Sequence, residues 1–343
     1  MTSPGPRTML RATGRYLPDR VVTNADLEKL VDTSDEWIAT RSGIRERRMC
    51  AEGEHTAHMA AEAGRQALDG AGVSPADVDV LILSTATPDH LLPATACETQ
   101  ALLGADRAAA FDISAACAGW LYGVALAQGL LAIDGERVVL VIGAEKMSAI
   151  IDYTDRSTCV LFGDGAGAGL FGSATSGGSP TGNGGASGGG AGIIATHMQS
   201  NGRQSKLLWR PAGGAARPST DATRSDHLEY VKQEGREIFK HAVFAMEETS
   251  RIVLDRAGLT IDDVDLVIPH QANLRIIEAV ARRIGAPMSR VYVNIDRYGN
   301  TSSASIPIAL DEVRRNNIAG PGSTILMTAF GGGLSWGSTL LRL

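Results

Sequence analysis

Apolar and polar positions change their spacing from block to block along the chain, and this spacing predicts the elements. Residues 67–84 read ALDGAGVSPADVDVLILS, with apolar residues at helical spacing, then a turn of Gly, Ser and Pro, then a continuous apolar run. A run of about four to eight apolar residues after turn residues is typical of a strand buried on both faces. This stretch therefore predicts a helix, a turn and a buried strand.

The same pattern recurs 186 positions later, where residues 253–270 read VLDRAGLTIDDVDLVIPH. Identical residues connect the two copies: Leu68, Asp69, Ala71, Gly72, Asp77, Val78, Asp79 and Ile82 recur as Leu254, Asp255, Ala257, Gly258, Asp263, Val264, Asp265 and Ile268. One repeat with so long a period indicates two similar halves rather than a solenoid of short units.

Further elements follow in similar order in the two halves. Strand character is found in residues 108–114, 136–145 and 159–171 of the first half and in residues 290–296 and 323–343 of the second. A helix is predicted after Cys117 in the first half and over residues 301–315 in the second. Strands that alternate with helices favour mostly parallel sheets covered on both faces. Two such sheets, related by a pseudo-twofold axis, predict a layered α/β/α/β/α sandwich.

A tract of small residues, SATSGGSPTGNGGASGGGAG, separates the halves at residues 173–192. It has too few large side chains to offset the entropy of ordering them, so we interpret it as a surface loop. The sequence thus predicts an N-terminal half over residues 1–172 and a C-terminal half over residues 193–343.

Composition narrows the class of function. The 343 residues are 44% hydrophobic and carry a formal net charge of −6, which gives no electrostatic footprint for nucleic acid. The first residues lack the apolar core of a signal peptide, and no run approaches the roughly 18 apolar residues of a membrane span, so we expect a cytoplasmic protein without a membrane partner. The spacing of Cys50, Cys97, Cys117 and Cys159 fits neither a metal site nor a disulfide framework.

The duplication suggests where chemistry takes place. Superposing the halves puts His270 opposite Ser84 at a strand end and brings Cys117 close to the place that corresponds to Asn300. Ligand sites of open α/β sheets cluster beyond the carboxyl ends of strands. If the halves meet face to face, Cys117 from one half contacts His270 and Asn300 from the other.

Each of these residues also has an ordinary structural interpretation. Cys117 is either a buried filler or a nucleophile, and in the second case we expect the helix N-terminus that follows it to lower the pKa of its thiol. His270 is a buried hydrogen-bonded histidine or a catalytic one, and Asn300 is a turn or cap residue or a hydrogen-bond donor to substrate. The nearby Arg275, Arg282 and Arg283 form a solvated basic face or a docking site for an acidic partner.

Two glycine-rich segments need separate interpretations. FGDGAGAG, residues 162–169, has imperfect dinucleotide-loop spacing and is not followed by an amphipathic helix, so a nicotinamide or flavin site is not expected there. No P-loop motif is present. AFGGGLSWG, residues 329–337, can turn backbone N–H groups inward, because glycine accepts dihedral angles that other residues resist.

Six segments in register make the chain resemble the β-ketoacyl-acyl-carrier-protein synthase III family of thiolase-fold condensing enzymes. They are TNADLEKLVDTSDEWIATRSGIRERR near the start, AACAG at Cys117, FGDGAGA, PHQANLRII at His270, GNTSSAS at Asn300 and AFGGGLSWGS near the end. The resemblance runs over nearly the whole length and implies the thiolase-like duplicated sandwich. It also implies acyl-CoA and acyl carrier protein as partners, a homodimer, and no metal or other cofactor.

The resemblance assigns roles to individual residues. It implies Cys117 as the nucleophile, His270 and Asn300 as the decarboxylation pair, and an oxyanion hole made by the N–H groups of Cys117 and Gly332. Further sets follow from it: for coenzyme A, Thr33, Trp37, Arg41, Arg156, Gly235, Phe239, Ala272 and Asn273; for the acyl pocket, Leu92 and Phe330; for the carrier protein, Lys240, Arg275, Arg282 and Arg283. Leu92 stands where the family often has an aromatic residue, and Trp120 where it usually has phenylalanine, which could narrow the neighbouring wall.

The implied reaction is the decarboxylative condensation of an acyl-CoA primer with malonyl-carrier protein through acyl-Cys117, which starts fatty-acid synthesis. The nearest alternative is an acyltransferase or condensing enzyme of secondary metabolism that uses Cys117 with a different acceptor. A hydrolase lacks a dedicated base for water, and a degradative thiolase usually needs a second active-site cysteine. A non-catalytic binding protein does not explain why nucleophile, histidine, asparagine and glycine turn are all present.

Overall fold

A computed structural model of the chain describes residues 8–173 and 191–343. The strands in this part are β1 (Thr8–Tyr16), β2 (Arg20–Thr23), β3 (Glu46–Met49), β4 (Val80–Ser84), β5 (Ala109–Ile113), β6 (Val139–Glu145), β7 (Gly165–Ser173), β8 (Gly192–Ser200), β9 (Leu208–Trp209), β10 (Lys232–Gln233), β11 (Leu266–Pro269), β12 (Thr324–Gly331) and β13 (Ser335–Arg342). The α-helices are α1 (Asn24–Leu27), α2 (Asp35–Ser42), α3 (Thr56–Ala71), α4 (Thr95–Leu103), α5 (Gly119–Ile133), α6 (Arg156–Cys159), α7 (Asp221–Ser225), α8 (Gly235–Ala257), α9 (Leu274–Ile284), α10 (Ile295–Tyr298) and α11 (Ser305–Arg315).

Two large sheets share one topology. The first has the strand order β1-β7-β6-β4-β5 and the second the order β8-β13-β12-β11. In each sheet one strand, β7 or β13, runs antiparallel to both of its neighbours. The strands β6, β4 and β5 pair in parallel, and so do β12 and β11. The second sheet therefore repeats four strands of the first, in a mixed arrangement where all strands except β7 and β13 run in one direction, as the duplication predicts, and β5 is an additional edge strand of the first sheet.

Helices cover both faces of each sheet. Helices α3 and α4 pack on the outer face of the first sheet, and α8, with α9 against it, packs on the outer face of the second. Helices α5 and α11 contact both sheets and fill the layer between them with a continuous apolar cluster. The predicted thiolase-like α/β/α/β/α sandwich is confirmed.

The repeated residues have equivalent structural roles in the two halves. Gly72 and Gly258 end α3 and α8 in the left-handed conformation, with φ of 63° and 64°, which favours glycine. The carboxylate of Asp79 accepts a hydrogen bond from the Val138 N–H, and that of Asp265 accepts one from Thr324, both at 2.8 Å. Each aspartate thus ties the start of one parallel strand to the start of its neighbour.

Some expected elements differ from the observed ones. Residues 290–296 form a single bridge between Val291 and Val267 and then α10, instead of the expected strand. Cys159 ends the short helix α6, and the strand expected from residue 159 begins only at Gly165. The loop predicted over residues 173–192 falls mostly outside the described residues, and its ends, Ser173 and Gly192, belong to β7 and β8.

One helical stretch is more apolar than expected from the sequence. Residues Ala116–Ile133 have a mean hydropathy of 1.6 and are long and apolar enough to cross a membrane by length and composition alone. The expectation that no run approaches this limit was therefore wrong. Half of the stretch is buried inside the protein, and α5 lies between the two sheets, which gives its apolar surface a place in the core.

Candidate active site

A cavity of about 270 Å³ opens between the two halves. Cys117, which comes from the first half, lines it together with His270 and Asn300 from the second. The structure therefore brings the three residues into one space, as the pseudo-twofold relation predicts. All three are largely buried, with exposed fractions of 9%, 2% and 6%.

Cys117 lies in a 3₁₀ turn, Ala116–Ala118, that leads directly into α5. Two glycines make room for this turn. A Cβ on Gly119 would lie 1.9 Å from Ser84 Oγ, and a Cβ on Gly331 would lie 2.5 Å from the backbone nitrogen of Cys117. A side chain at Gly331 would displace the backbone of Cys117, whereas one at Gly119 would first force Ser84 Oγ to move, so the close approach of two backbones requires the glycine of AFGGG.

The pKa of Cys117 differs from the sequence-based expectation. Burial, with a smaller contribution from the nearby carboxylate of Glu145, raises the pKa of its thiol to about 12, although the hydrogen bond to Ser302 acts to lower it. The expectation that the helix N-terminus lowers the pKa of Cys117 is wrong for this site. The cost of removing a thiolate from water is larger than the stabilisation that the helix dipole gives it. At rest, Cys117 is therefore a thiol.

His270 follows β11 and is held as a neutral imidazole. Burial lowers its pKa to about 3. Its Nδ1 lies 2.6 Å from Ser305 Oγ, and the Gln271 N–H donates to the same hydroxyl oxygen at 3.4 Å. With Gln271 N–H donating to this oxygen, the Ser305 hydroxyl proton is available to donate to Nδ1. We assign the remaining proton of His270 to Nε2, where it serves as a hydrogen-bond donor.

Asn300 is fixed by its backbone and by its side chain. Its N–H donates to the Leu161 carbonyl at 2.8 Å, and its carbonyl accepts from the Gly163 N–H at 3.1 Å. Its Oδ1 accepts from the Ser302 N–H at 2.9 Å. With the oxygen occupied, the amide NH₂ group is the part of the side chain available to the cavity.

The FGDG segment therefore has a structural task. Residues Leu161–Gly163 hold the asparagine from the other half. Asp164 accepts hydrogen bonds from the Cys50 N–H at 2.8 Å and from Ser148 Oγ at 2.6 Å. These contacts explain the motif without a bound dinucleotide.

The residues expected at the oxyanion hole and acyl pocket divide into two groups. Gly332 and Phe330 line the cavity with Cys117, and Phe330 stacks on Trp336 with ring centroids 6.3 Å apart. Leu92 does not line it and is 88% exposed. Trp120 also stays away from the cavity, because its ring is buried and donates to the Val141 carbonyl at 3.1 Å, so it does not narrow that wall.

The residues expected to bind coenzyme A lie in the cavity and beside its mouth. Gly235, Phe239, Ala272 and Asn273 line the cavity, whereas Thr33, Trp37, Arg41 and Arg156 do not. The guanidinium carbons of Arg41 and Arg156 lie 4.4 and 4.9 Å from the centroid of Trp37. Gln233, a cavity residue, donates to the Ser157 carbonyl at 2.9 Å, which places the Trp37 and Arg156 pair next to the opening.

The basic residues lie on α8 and α9, which flank the same opening. Lys240 pairs with Glu237 at 2.7 Å, Arg283 pairs with Glu247, and Arg275 donates to the Thr40 carbonyl at 3.0 Å. Arg282 is exposed and has no ion pair with any residue in the described part of the chain. The four cations are thus present on one side, with part of their charge compensated.

Sequence reasoning missed Ser302, Ser305 and Glu145. The two serines belong to GNTSSAS, where they read as small cap residues, and Glu145 ends an otherwise apolar strand. A charged residue at the end of a buried strand was the available signal for Glu145, whereas nothing in the spacing indicated which serine contacts which catalytic group. Within residues 8–173 and 191–343, no group of three or more His, Cys, Asp or Glu side chains is placed to hold a metal.

Comparison with known proteins identifies the family. Residues 111–202 and 254–343 match the two parts of 3-oxoacyl-[acyl-carrier-protein] synthase III. A curated β-ketoacyl-[acyl-carrier-protein] synthase III from Caldanaerobacter subterraneus is 48% identical over 330 residues, covering 96% of both chains.

Solved structures agree with this match. The crystal structure of the Aquifex aeolicus 3-oxoacyl-[acyl-carrier-protein] synthase III superposes with a TM-score of 0.87 at 47% identity, covering 98% of this chain and all (100%) of the other. A priming β-ketosynthase from a polyketide pathway superposes with a TM-score of 0.86 at 35% identity and covers 100% of this chain and 98% of its own. The chain belongs to the 3-oxoacyl-[acyl-carrier-protein] synthase III family, the β-ketoacyl-ACP synthase III enzymes.

Proposed function

We propose that the protein condenses an acyl-CoA primer with malonyl-acyl carrier protein to give a β-ketoacyl-ACP, with Cys117 as the acyl carrier. The sulfur attacks the thioester carbonyl, coenzyme A leaves, and the acyl group stays on Cys117 as a thioester. The backbone N–H groups of Cys117 and Gly332 hold the oxyanion that forms in this step. Gly332 lines the same cavity as the sulfur, which supports this assignment.

The second half-reaction uses neutral hydrogen-bond donors. Loss of CO₂ from the malonyl group leaves an enolate whose charge lies on the thioester oxygen. Nε2–H of His270 and the amide of Asn300 donate to that oxygen, and the carbanion then attacks acyl-Cys117. The observation that carries the proposal is that both groups line the cavity of Cys117 while their other polar atoms are occupied, by Ser305 for His270 and by the Ser302 N–H for Asn300.

Coenzyme A binding is supported by the rim of the cavity. Its adenine stacks on the Trp37 ring against Arg156, with Thr33 and Arg41 beside it. The pantetheine follows the cavity past Phe239, Gly235, Ala272 and Asn273, which line it. Both arginines already lie within 5 Å of the Trp37 ring, at the 4.4 and 4.9 Å distances that suit cation–π stacking. Phe330 forms part of the acyl pocket, and Leu92 is assigned to it only by resemblance.

Carrier protein docks on the basic side of α8 and α9. Lys240, Arg275, Arg282 and Arg283 supply the positive charge, which steers an acidic partner to the opening. Arg282→Glu is expected to lower kcat/KM for malonyl-ACP about tenfold at low salt and much less at high salt, because exposed charges are screened. Acylation by acyl-CoA is expected to stay unchanged. Arg137→Glu, a charge reversal before β6 and outside α8 and α9, is the control; it also breaks the 3.2 Å ion pair with Asp134, so the stability of both variants is compared.

The protein is further proposed to be a cytoplasmic homodimer. Strand β5 is an edge strand that exposes 38% of Phe111, and Leu91 and Leu92 are 83% and 88% exposed. Large apolar side chains at an open sheet edge favour burial against a second copy. Sedimentation should give twice the chain mass of 35.9 kDa, and a monomer at every concentration would contradict the dimer. Fractionation of cells tests the location.

Mass spectrometry of the intact protein tests the reaction. The protein is mixed with a panel of acyl-CoAs and then with malonyl-ACP. We expect one acyl group to add to Cys117, free coenzyme A to appear, and the adduct to disappear as β-ketoacyl-ACP forms. The acyl-CoA that loads fastest identifies the primer.

Two variants make the result specific. Cys117→Ser should take up no stable thioester, and Cys97→Ser, which removes the exposed cysteine, should load normally. If acyl-Cys117 forms but malonyl-ACP does not discharge it, the enzyme uses a different acceptor. Release of free acid without malonate consumption would overturn the condensation and indicate hydrolysis.

A further inference from the structure

A buried carboxylate lies beneath the catalytic cysteine. Glu145 ends β6 with 0% exposure. Its Oε2 accepts hydrogen bonds from Thr87 Oγ1 at 2.8 Å and the Ala86 N–H at 3.0 Å, and its Oε1 accepts from Ser302 Oγ at 3.0 Å and Ser303 Oγ at 2.8 Å. An ionised carboxylate only accepts hydrogen bonds, and this set of donors is what it requires.

No cation balances this carboxylate in the described residues. Its chain neighbour Lys146 directs its ammonium group to the Glu54 carbonyl at 2.6 Å instead. Buried charges are normally paired, because an unpaired one loses its hydration. The burial of Glu145 also raises its pKa, so its carboxylate accepts a proton more readily than an exposed one.

One hydroxyl connects Glu145 to the nucleophile. The Cys117 thiol donates to Ser302 Oγ at 3.6 Å, and the same hydroxyl donates to Glu145 Oε1 at 3.0 Å. The two hydrogen bonds are therefore consecutive: the thiol donates to the hydroxyl, and the hydroxyl donates to the carboxylate. Two other titratable side chains line the cavity with Cys117: Arg210, which is a cation, and His270, which uses its Nδ1 on Ser305 and is not part of this path.

The equivalent position of the other half has no carboxylate. Glu145 and Gly331 are 186 positions apart and end the equivalent strands β6 and β12. Each faces a 3₁₀ turn of the opposite half, Gly331 the turn of Cys117 and Glu145 the turn of Ser302 and Ser303. The same fold position is thus occupied by glycine in one half and by a carboxylate in the other.

We propose that Glu145, acting through Ser302, accepts the proton of Cys117 during acylation; it is a positioning residue for the nucleophile and rests on the function proposed above. As the sulfur forms its bond to the thioester carbon, the S–H proton moves to Ser302 Oγ and the serine proton moves to Glu145. When the bond to coenzyme A breaks, the proton returns by the same path to the departing sulfur. Acyl-Cys117, coenzyme A thiol and the original carboxylate result.

This exchange keeps one negative charge in the cluster throughout. Thiol with carboxylate, and thiolate with carboxylic acid, contain the same number of protons. Reaction through the relay is therefore independent of pH between the pKa of Glu145 and that of Cys117. Without the relay, hydroxide must remove the proton, and the rate rises tenfold for each pH unit.

Alkylation of Cys117 by iodoacetamide tests the relay without any substrate. The rate is followed from pH 6 to 10 by mass spectrometry of the Cys117 peptide, next to acylation by acyl-CoA at pH 7. We expect a plateau near neutral pH for the wild type. Glu145→Gln should replace the plateau by a slope of one and slow acylation about 100-fold, the usual size of a general-base contribution.

A second variant leaves the carboxylate in place. Ser302→Ala should give the same dependence as Glu145→Gln, a tenfold rise of the alkylation rate for each pH unit. Alanine can adopt the backbone conformation of this position, because the equivalent residue of the other half, Ala116, has φ of 45° and Ser302 has φ of 50°. Ser303→Ala removes a hydrogen bond to the same carboxylate oxygen but no link of the path, and should keep the plateau. Solvent D₂O should slow acylation of the wild type more than that of Ser302→Ala.

Several results would overturn the relay. A plateau that survives in both Glu145→Gln and Ser302→Ala contradicts it, as does a plateau lost in His270→Ala, which would make the imidazole the base. Loss of the plateau in Ser303→Ala would reduce Glu145 to a structural role. If acyl-CoA never loads while the alkylation profiles behave as expected, the proposed function fails and the relay stands.

Discussion

The orientation of His270 depends on one hydroxyl, and removing it gives the sharpest prediction for the decarboxylation step. Ser305 Oγ lies 2.6 Å from Nδ1 in a site where both residues are 2% exposed. Ser305→Ala leaves that nitrogen without its donor. The imidazole then loses the contact that keeps its proton on Nε2, the atom that we propose donates to the enolate oxygen.

The size of the effect follows from the strength of the bond. A neutral hydrogen bond contributes about 0.5–1.5 kcal/mol net, which corresponds to roughly a 2- to 12-fold change in an equilibrium. Ser305→Ala should therefore slow malonyl-ACP decarboxylation by about that factor. His270→Ala, which removes the donor itself, should slow it by roughly 10²–10³.

Release of CO₂ from malonyl-ACP measures this step, and the burst of coenzyme A thiol measures acylation of Cys117 separately. Ser305→Ala should affect the first and spare the second. Ser338→Ala is the control, because it deletes another fully buried serine hydroxyl, 3.4 Å from Ser250 Oγ, that has no contact with the cavity. Wild-type decarboxylation in Ser305→Ala, or equal loss in both assays, would refute the role given to the tautomer.

Three further predictions concern the rest of the site. Gly331→Ala places a Cβ 2.5 Å from the Cys117 nitrogen, so it should lower the free energy of unfolding by about 1–3 kcal/mol and raise the activation free energy of Cys117 acylation by at least as much. Gly129→Ala adds a methyl group in open space and should not lower the free energy of unfolding, which urea titration measures for both variants. Trp37→Ala should raise KM for acyl-CoA about tenfold with little change in kcat, because it removes only a stacking surface. Steady-state kinetics measure both constants, and a fall in kcat with an unchanged KM would contradict the prediction. The pKa of His270 is lowered to about 3, so its imidazole should stay neutral and its ¹⁵N shifts constant from pH 8 to pH 5, and a titration near pH 6.5 would show that the site is wetter than described.

The fold and the proximity of Cys117, His270 and Asn300 could be predicted because both follow from the duplication. The identities around Gly72 and Gly258 repeat a cap, a turn and a strand start, and the offset of 186 residues carries Cys117 to the turn of Ser303. The pKa of Cys117 could not be predicted in the same way. This pKa depends on burial and on Glu145. The sequence places Glu145 28 positions after Cys117 but does not indicate that its side chain points towards the cysteine.

The expected strand at residues 290–296 does not form, for a different reason. Its alternating apolar residues fit a strand, but only Val291 bridges to β11, and the backbone then turns into α10. That turn leads the chain to Gly299 and Asn300, where the bond to Leu161 crosses to the other half. Long-range contacts of this kind override local propensity.

The central claim is that a sulfur from one half and two hydrogen-bond donors from the other perform successive steps in a single cavity. It is tested most directly by the mass of the His270→Ala, Asn300→Ala double variant after mixing with acyl-CoA and malonyl-ACP. The account predicts that the protein stays acylated on Cys117, because the sulfur still loads while no carbanion forms to remove the acyl group. A protein that remains unmodified, or one that turns over at the wild-type rate, would contradict it.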